Sequence, residues 1–152
     1  MTYESLLEDA AELGVIVKEV SLISRDGHCR GKRIAIDSKL PTSVEKTCVL
    51  AEELGHYRLT VGDITDQSRI ENRKQELIAR NWAYEKLVGI VSLINAYDKG
   101  IADKYELIEY LGVTEHFLCE ALNYYSSKYG THYEINNYIV YFSPNFGILK
   151  MI

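Results

Sequence analysis

The sequence predicts an α+β fold, mostly helical with a short antiparallel sheet, and three observations support this. The 152 residues are 47% hydrophobic and 26% charged, which is typical of one globular domain with at most a small appendage. Two long amphipathic segments begin at residues with N-cap chemistry and predict helices. Short runs rich in β-branched and aromatic residues precede and follow them, bounded by Gly and Asn turns, and predict strands.

Charge and composition exclude several functional classes. The net charge of −5 argues against sequence-independent nucleic-acid binding, which depends on clustered Lys and Arg. No apolar run is long enough to span a bilayer, and residues 1–5 lack the basic and apolar regions of a signal peptide. The three Cys residues are scattered, which fits a reducing compartment. We therefore expect a cytoplasmic protein with no direct nucleic-acid or membrane partner.

The N-terminal region predicts a helix followed by a hairpin. Residues 3–14 have helical periodicity, and residues 15–20 read as a strand. Residues 25–28 contain Asp-Gly, which favours a hairpin turn, and residues 31–37 would form the second strand. An extended peptide could add to the edge of such a sheet. The adjacent His28 and Cys29 would point to opposite faces of a strand, which argues against a shared metal.

The central predicted helix begins after Pro41, where Thr42 and Glu45 form a capping box. Farther along it lies Glu-Glu-Leu-Gly-His, which departs at one position from H-E-x-x-H. In that motif two His on one helical face hold Zn²⁺, and the Glu between them is the general base. Here Glu52 takes the place of the first His, four residues before His56, and Glu53 is the base position.

Ordinary structural roles also fit these residues. Glu52 and Glu53 would then be solvated carboxylates, and His56 would be a helix C-terminal residue favoured by the helix dipole. Tyr57 and His28 are candidates to steady an oxyanion, although the sequence places neither in a cleft.

A long helix is predicted over residues 69–95, opened by a second capping box at Ser68–Glu71. Glu76 follows His56 by twenty residues, a spacing that suits a third metal ligand delivered by the next helix. Three other acids are rivals for this role but fit turns or the cap better: Asp63, Asp66 and Glu71. The predicted apolar face consists of Ile70, Leu77, Ile78, Trp82, Leu87, Ile90, Val91 and Ile94.

Segments 50–57 and 76–83 together resemble the ImmA/IrrE family of metallopeptidases. That family usually has H-E-x-x-H on one helix and E-x-x-A-x-x-[FW]-A on the next. The resemblance extends from the predicted hairpin to about residue 125 and implies a small zincin-like metallopeptidase domain. The departure is Glu52, where the family usually has His; an E-E-x-G-H subgroup is also found among phage-borne relatives.

By this resemblance His56 and Glu76 are metal ligands and Glu53 is the general base. Glu52, at the position of the usual His, is predicted as the third ligand, and zinc, with manganese as the alternative, is the expected cofactor. Relatives carried by phages and mobile elements cleave the element's own helix-turn-helix repressor, which derepresses the element. Two carboxylate ligands would offset the charge of the metal, so the sequence predicts a weak or conditional endopeptidase. The alternative is a catalytically weak or inactive antirepressor that acts by binding the repressor.

The C-terminal third carries a helix-turn-helix-like pattern and a hairpin. In residues 101–125 a Leu-Gly-Val-Thr turn separates two predicted helices. Acidic residues dominate this segment, so we interpret it as a packing or partner-binding element rather than a DNA reader. Residues 129–152 predict a hairpin with an Asn-Asn turn. The expected division is residues 1–98 as the metallopeptidase core and residues 99–152 as helices and hairpin packed on it.

Overall fold

The structure, a computed structural model, describes residues 1–59 and 70–152. In the described residues six helices and six strands follow the order α1 (Tyr3–Glu12), β1 (Ile16–Val20), β2 (Gly27–Arg30), β3 (Arg33–Asp37), α2 (Ser43–Leu59), α3 (Ile70–Leu87), α4 (Ile90–Asp98), α5 (Lys104–Leu111), α6 (Glu115–Tyr129), β4 (His132–Ile135), β5 (Tyr138–Tyr141) and β6 (Gly147–Lys150). The predicted α+β class, mostly helical, is confirmed.

The first sheet has the strand order β1-β3-β2, with β3 in the centre. Ile34 and Ile36 of β3 are fully buried, because the period-two alternation of this strand directs both side chains into the core. Strand β2 pairs antiparallel to β3, whereas β1 pairs parallel to β3. The sheet is therefore mixed.

The predicted hairpin turn at residues 25–28 is wrong. Gly27 is instead the first residue of β2, and the hairpin that does form joins β2 to β3 through Gly31 and Lys32. Gly31 has a φ of 58°, a left-handed conformation that glycine adopts at low cost. The Asp-Gly pair predicted a turn from local preference alone. In the structure the missing side chain of Gly27 instead lets β2 pack closely against α2.

Helix α2 begins as predicted. The Thr42 hydroxyl accepts a hydrogen bond from the backbone N–H of Glu45 at 3.1 Å, which satisfies one of the free donors of the first turn. The buried Oε2 of Glu45 has no hydrogen-bond partner among the described residues, so this oxygen does not make the reciprocal bond of a capping box. Leu50, Ala51 and Leu54 then enter the main hydrophobic core.

The predicted helix over residues 69–95 is two helices, because Gly89 adopts an extended conformation and begins α4. Most of the large apolar residues predicted to face inward in α3 do not: Ile70, Leu77 and Ile78 are 58%, 57% and 48% exposed. The small residues Ala79 and Ala83 are buried in their place. Close approach of two helix backbones favours small side chains at the contact, which explains the reversal.

Helices α5 and α6 confirm the predicted helix-turn-helix-like pattern. The turn between them contains Gly112 with a φ of 71° and Thr114, whose hydroxyl accepts from the Phe117 N–H. Leu111, Phe117 and Leu118 join the same hydrophobic core as α1, α2 and α3. The division of the chain at residue 98 stays a prediction. No helix in the described part of the chain is long and apolar enough to cross a membrane.

The second sheet is an antiparallel meander with the order β4-β5-β6. Asn136, in the predicted Asn-Asn turn, has a φ of 52° and lies between β4 and β5. Val140 and Phe142 pack with Tyr125 of α6 and Ile94 of α4 in a second, smaller core cluster. The predicted C-terminal hairpin is confirmed, and a third strand extends it.

Candidate metallopeptidase site

Helix α2 places the central motif directly against α3. Gly55 lies at the closest approach, because a Cβ at this position would overlap the backbone carbonyl of Ala79. His56, the next residue on α2, meets Glu76, which precedes Ala79 on α3. The two helices therefore pass each other in opposite directions. The missing side chain of Gly55 makes room for this neighbour, and the contact joins His56 to a carboxylate far away in sequence.

The Glu76 carboxylate lies between two basic side chains. His56 Nε2 is 2.9 Å from Glu76 Oε2, and Arg80 Nε is 3.3 Å from Glu76 Oε1. Burial disfavours the charged imidazole, yet the hydrogen bond to Glu76 and the surrounding carboxylates raise the pKa of His56 above its ordinary value. The same hydrogen bond lowers the pKa of Glu76. The hydrogen bond therefore favours an imidazolium paired with a carboxylate in the metal-free protein.

Glu53 lies beside this pair, beneath the first residue of β2. A Cβ at Gly27 would come within 2.7 Å of Val49 Cγ1 and 2.9 Å of Glu53 Cγ, so the strand backbone covers the carboxylate stem. Burial raises the pKa of Glu53 to about 7, with His56 opposing the shift and neighbouring carboxylates adding to it. A carboxylate that titrates near neutral pH is suited to act as a general base.

This pKa predicts how the stability of the metal-free protein depends on pH. The pKa of Glu53 rises from 4.5 in the unfolded chain to about 7 in the folded protein. The contribution of Glu53 to the unfolding free energy is therefore complete below pH 4.5 and is lost as the pH rises through about 7. One pKa unit is worth about 1.4 kcal/mol, and Glu53 is partly exposed. As the pH rises from about 5 to about 8, we expect the unfolding free energy of Glu53→Gln to increase by about 1–2 kcal/mol relative to that of wild type. Denaturant titration in chelator measures this, and a difference independent of pH would contradict it.

Glu52 lies one turn before His56 and faces the same group of charges. Burial raises the pKa of Glu52, and the positive charge of Arg80 is the strongest influence that opposes it. On α6, Glu120 adds negative charge near Glu52 and accepts a hydrogen bond of 2.7 Å from the Tyr84 hydroxyl. Glu52 therefore belongs to the same electrostatic cluster as His56, while its role as a metal ligand stays a prediction.

Strand β2 forms the border of this site. Among the described strands it pairs only with β3, so it is an edge of the sheet. Its first residue, Gly27, covers Glu53, as the overlap of a Cβ shows. An unpaired strand edge presents N–H and C=O groups that can bind an extended peptide. The base position and an unpaired strand edge are thus adjacent.

The other sequence candidates have different outcomes. Asp63, Asp66 and the Ser68 cap lie outside the described residues. His28 is hydrogen-bonded to Arg25, with Arg25 Nη1 2.8 Å from His28 Nδ1. The Tyr57 hydroxyl donates to the Leu13 carbonyl at 3.5 Å, so it is directed to the end of α1. His116 of α6 has a side chain that is 84% exposed.

The donor atoms fit a metal in part. Within residues 1–59 and 70–152 no group of three His, Cys, Asp or Glu side chains is arranged to hold an ion. Two of the predicted ligands nevertheless converge, with His56 Nε2 and Glu76 Oε2 2.9 Å apart. Two ligands bound at about 2.0–2.1 Å to a tetrahedral zinc would be about 3.3 Å apart, so a small outward movement would admit the ion. Imidazole nitrogen and carboxylate oxygen are both zinc donors.

Two residues of this site were missed from the sequence. Gly27 was assigned to a turn, and only the three-dimensional contact with Glu53 shows that its missing side chain admits the helix. Arg80 was passed over as an ordinary helix residue. Its position four residues after Glu76 is a spacing at which helical side chains meet, and this signal could have identified the pair.

Comparison with known proteins agrees with this geometry. A family model for the peptidase M78 group, described as the IrrE N-terminal-like domain, matches residues 10–123. No curated protein and no solved structure is significantly similar to the chain. The matched range contains the four residues Glu52, Glu53, His56 and Glu76 and covers well over half of the chain. The chain therefore belongs to the M78 peptidase family, with a zincin-like metallopeptidase domain of the IrrE N-terminal type.

Proposed function

We propose that this protein is a metal-dependent endopeptidase. The observation that carries the proposal is the contact of His56 Nε2 with Glu76 Oε2 across two helices, beside a half-buried Glu53 that lies under an edge strand. These are a ligand pair, a base and a peptide-binding surface in one place. Membership of the M78 family, with its metallopeptidase-like domain, supports this proposal.

His56 and Glu76 would hold the metal, with Glu52 as the third donor. When bound, zinc would acidify a water molecule and polarise the peptide carbonyl. Glu53 takes the proton of the attacking water and passes it to the departing amine, a role for which its pKa of about 7 is suited. The edge of β2 orients the substrate as an added strand, so that the scissile carbonyl lies beside Glu53.

The substrate that we propose is a helix-turn-helix repressor, whose cleavage would derepress a phage or mobile element. This assignment is supported by the resemblance of the two motif segments to phage-borne members of the family. The edge strand is suited to an extended linker more than to a folded domain, because main-chain pairing needs a free segment. Such a substrate also implies that the protein acts in the cytoplasm.

Incubation with a panel of purified helix-turn-helix repressors tests this proposal. We expect one internal cut in the cognate repressor with zinc or manganese, seen as two fragments by mass spectrometry, and none after chelation. Catalytic contributions from a bound metal and a base are large, so the chelated rate should fall at least about a hundredfold. Binding without any cut, under either metal, would overturn the peptidase proposal.

The second candidate function is an antirepressor that binds without cleaving. One observation favours it: His56 and Arg80 both contact the Glu76 carboxylate, so these three side chains hold one another in place when no metal is bound. A zincin-like surface of this kind could retain the peptide-binding edge of β2 and hold the repressor away from DNA.

A further inference from the structure

We propose that Arg80 is a positioning residue whose positive charge balances the negative charge of Glu52. Glu52 is the carboxylate at the position where the family usually has His. This inference deepens the proposed function, because it explains how a site with an added carboxylate keeps its ligands and base in place. The assignment rests on the geometry of α2 against α3 and on the contact between Arg80 and Glu76.

The helix contact places Arg80 opposite Glu52. Because α2 and α3 pass in opposite directions, moving one turn back along α2 from His56 corresponds to moving one turn forward along α3 from Glu76. Those steps lead to Glu52 and Arg80, each four residues from its starting point. The tight contact of Gly55 with Ala79, beside Arg80, fixes this pairing of turns at short range.

Arg80 also has a direct partner in the site. Its Nε lies 3.3 Å from Glu76 Oε1, which leaves Oε2 directed to His56. The guanidinium presents several N–H donors in a planar fork, so it can serve two carboxylates at once. The positive charge of Arg80 is the strongest influence opposing burial at Glu52, which supports their proximity.

The summed charge of the site shows why a positive charge at Arg80 is needed. Glu52, Glu53 and Glu76 together carry three negative charges when ionised, one more than a site with two His ligands, one Glu ligand and one Glu base. Adding Arg80 brings the summed charge of these side chains from minus three to minus two. Glu120 of α6, which also acts on Glu52, is held separately by the Tyr84 hydroxyl. Removing Arg80 would leave these carboxylates to repel one another across the helix contact.

A double-mutant cycle tests the pairing in chelator-treated protein, so no metal or substrate is needed. We expect Arg80→Gln to lower Tm by about 3 °C in wild type and by less than about 1 °C in a Glu52→Gln background. Added salt should weaken this coupling, and Arg80→Lys should recover part of it. Arg80→Met, which keeps the long stem, is the second charge-removing variant if Arg80→Gln does not fold. Lys86→Gln is the matched control, because Lys86 is on α3 but pairs with Asp9 at 3.2 Å.

The cleavage rate is a second measurement, and it should not change if Arg80 has a purely structural role. Arg80→Gln should lower the cleavage rate about tenfold in wild type and much less in a Glu52→His background. Equal Tm losses for Arg80→Gln in both backgrounds would overturn the pairing, even in a protein that proves to be an active peptidase. Coupled Tm losses without any cleavage would support the pairing and count against the proposed function alone.

Discussion

Replacing Glu53 by Gln is expected to abolish cleavage while leaving the fold intact. Glutamine has nearly the same shape as glutamate, so it can occupy the space beneath Gly27 without new overlap. It cannot accept a proton from water at neutral pH. General acid–base groups contribute about 10²–10⁴ to rate, and we expect a loss of about 10³-fold in kcat.

Three measurements make this result interpretable. Repressor binding, followed by titration calorimetry, should be unchanged, because the β2 edge is untouched. Thermal unfolding above neutral pH should show the variant at least as stable as wild type, since the half-buried carboxylate is gone. Glu8→Gln on the exposed side of α1 is the matched control and should retain full activity. Cleavage by Glu53→Gln at more than about a tenth of the wild-type rate would show that Glu53 is not the base.

Gly55→Ala is expected to be the most destabilising small substitution in the site. The added Cβ would overlap the Ala79 carbonyl, and a backbone atom cannot rotate away as a side chain could. The two helices would have to separate, which costs about 2–4 kcal/mol and lowers Tm by roughly 6–12 °C. The separation would also disturb the contact between His56 and Glu76 beside it.

Gly147→Ala is the matched control for this prediction. A Cβ at Gly147 would meet no atom within 4 Å, so the same chemical change should alter Tm little. Differential scanning calorimetry of the two variants measures the difference directly. A Tm for Gly55→Ala within about 1 °C of wild type would mean that α2 and α3 are not in close backbone contact.

Local sequence signals were sufficient for most of the helices. The Thr42 cap, the turn at Gly112 and the Asn136 turn each depend on side-chain or backbone preferences of one or two residues, and the structure bears them out. The His56–Glu76 contact was anticipated from two motif segments, because the family resemblance assigns both residues to one site. In these cases the information is local, or the chemistry requires fixed residue types.

Long-range packing explains the sequence predictions that were wrong. Strand β1 pairs parallel to β3, while β2, which lies between them in the chain, is the antiparallel partner of β3; no local turn signal encodes this order. Hydrophobicity favoured Leu77 and Ile78 as the inward face of α3, but a glycine on the facing helix requires the backbones to approach, and that selects Ala79. Gly27 was misassigned for the same reason, since its contact with Glu53 joins residues distant in sequence.

The most direct test of the metal site is the metal content of protein purified without chelators, measured by mass spectrometry beside His56→Ala and Glu76→Ala. The contact of His56 Nε2 with Glu76 Oε2 predicts about one equivalent of zinc or manganese per chain in wild type, lost in both variants, because each removes a donor. Wild-type protein that takes up no stoichiometric metal, even after zinc or manganese is added back, would contradict the metallopeptidase proposal. It would make Glu52 a disabling change and favour an antirepressor that acts by binding.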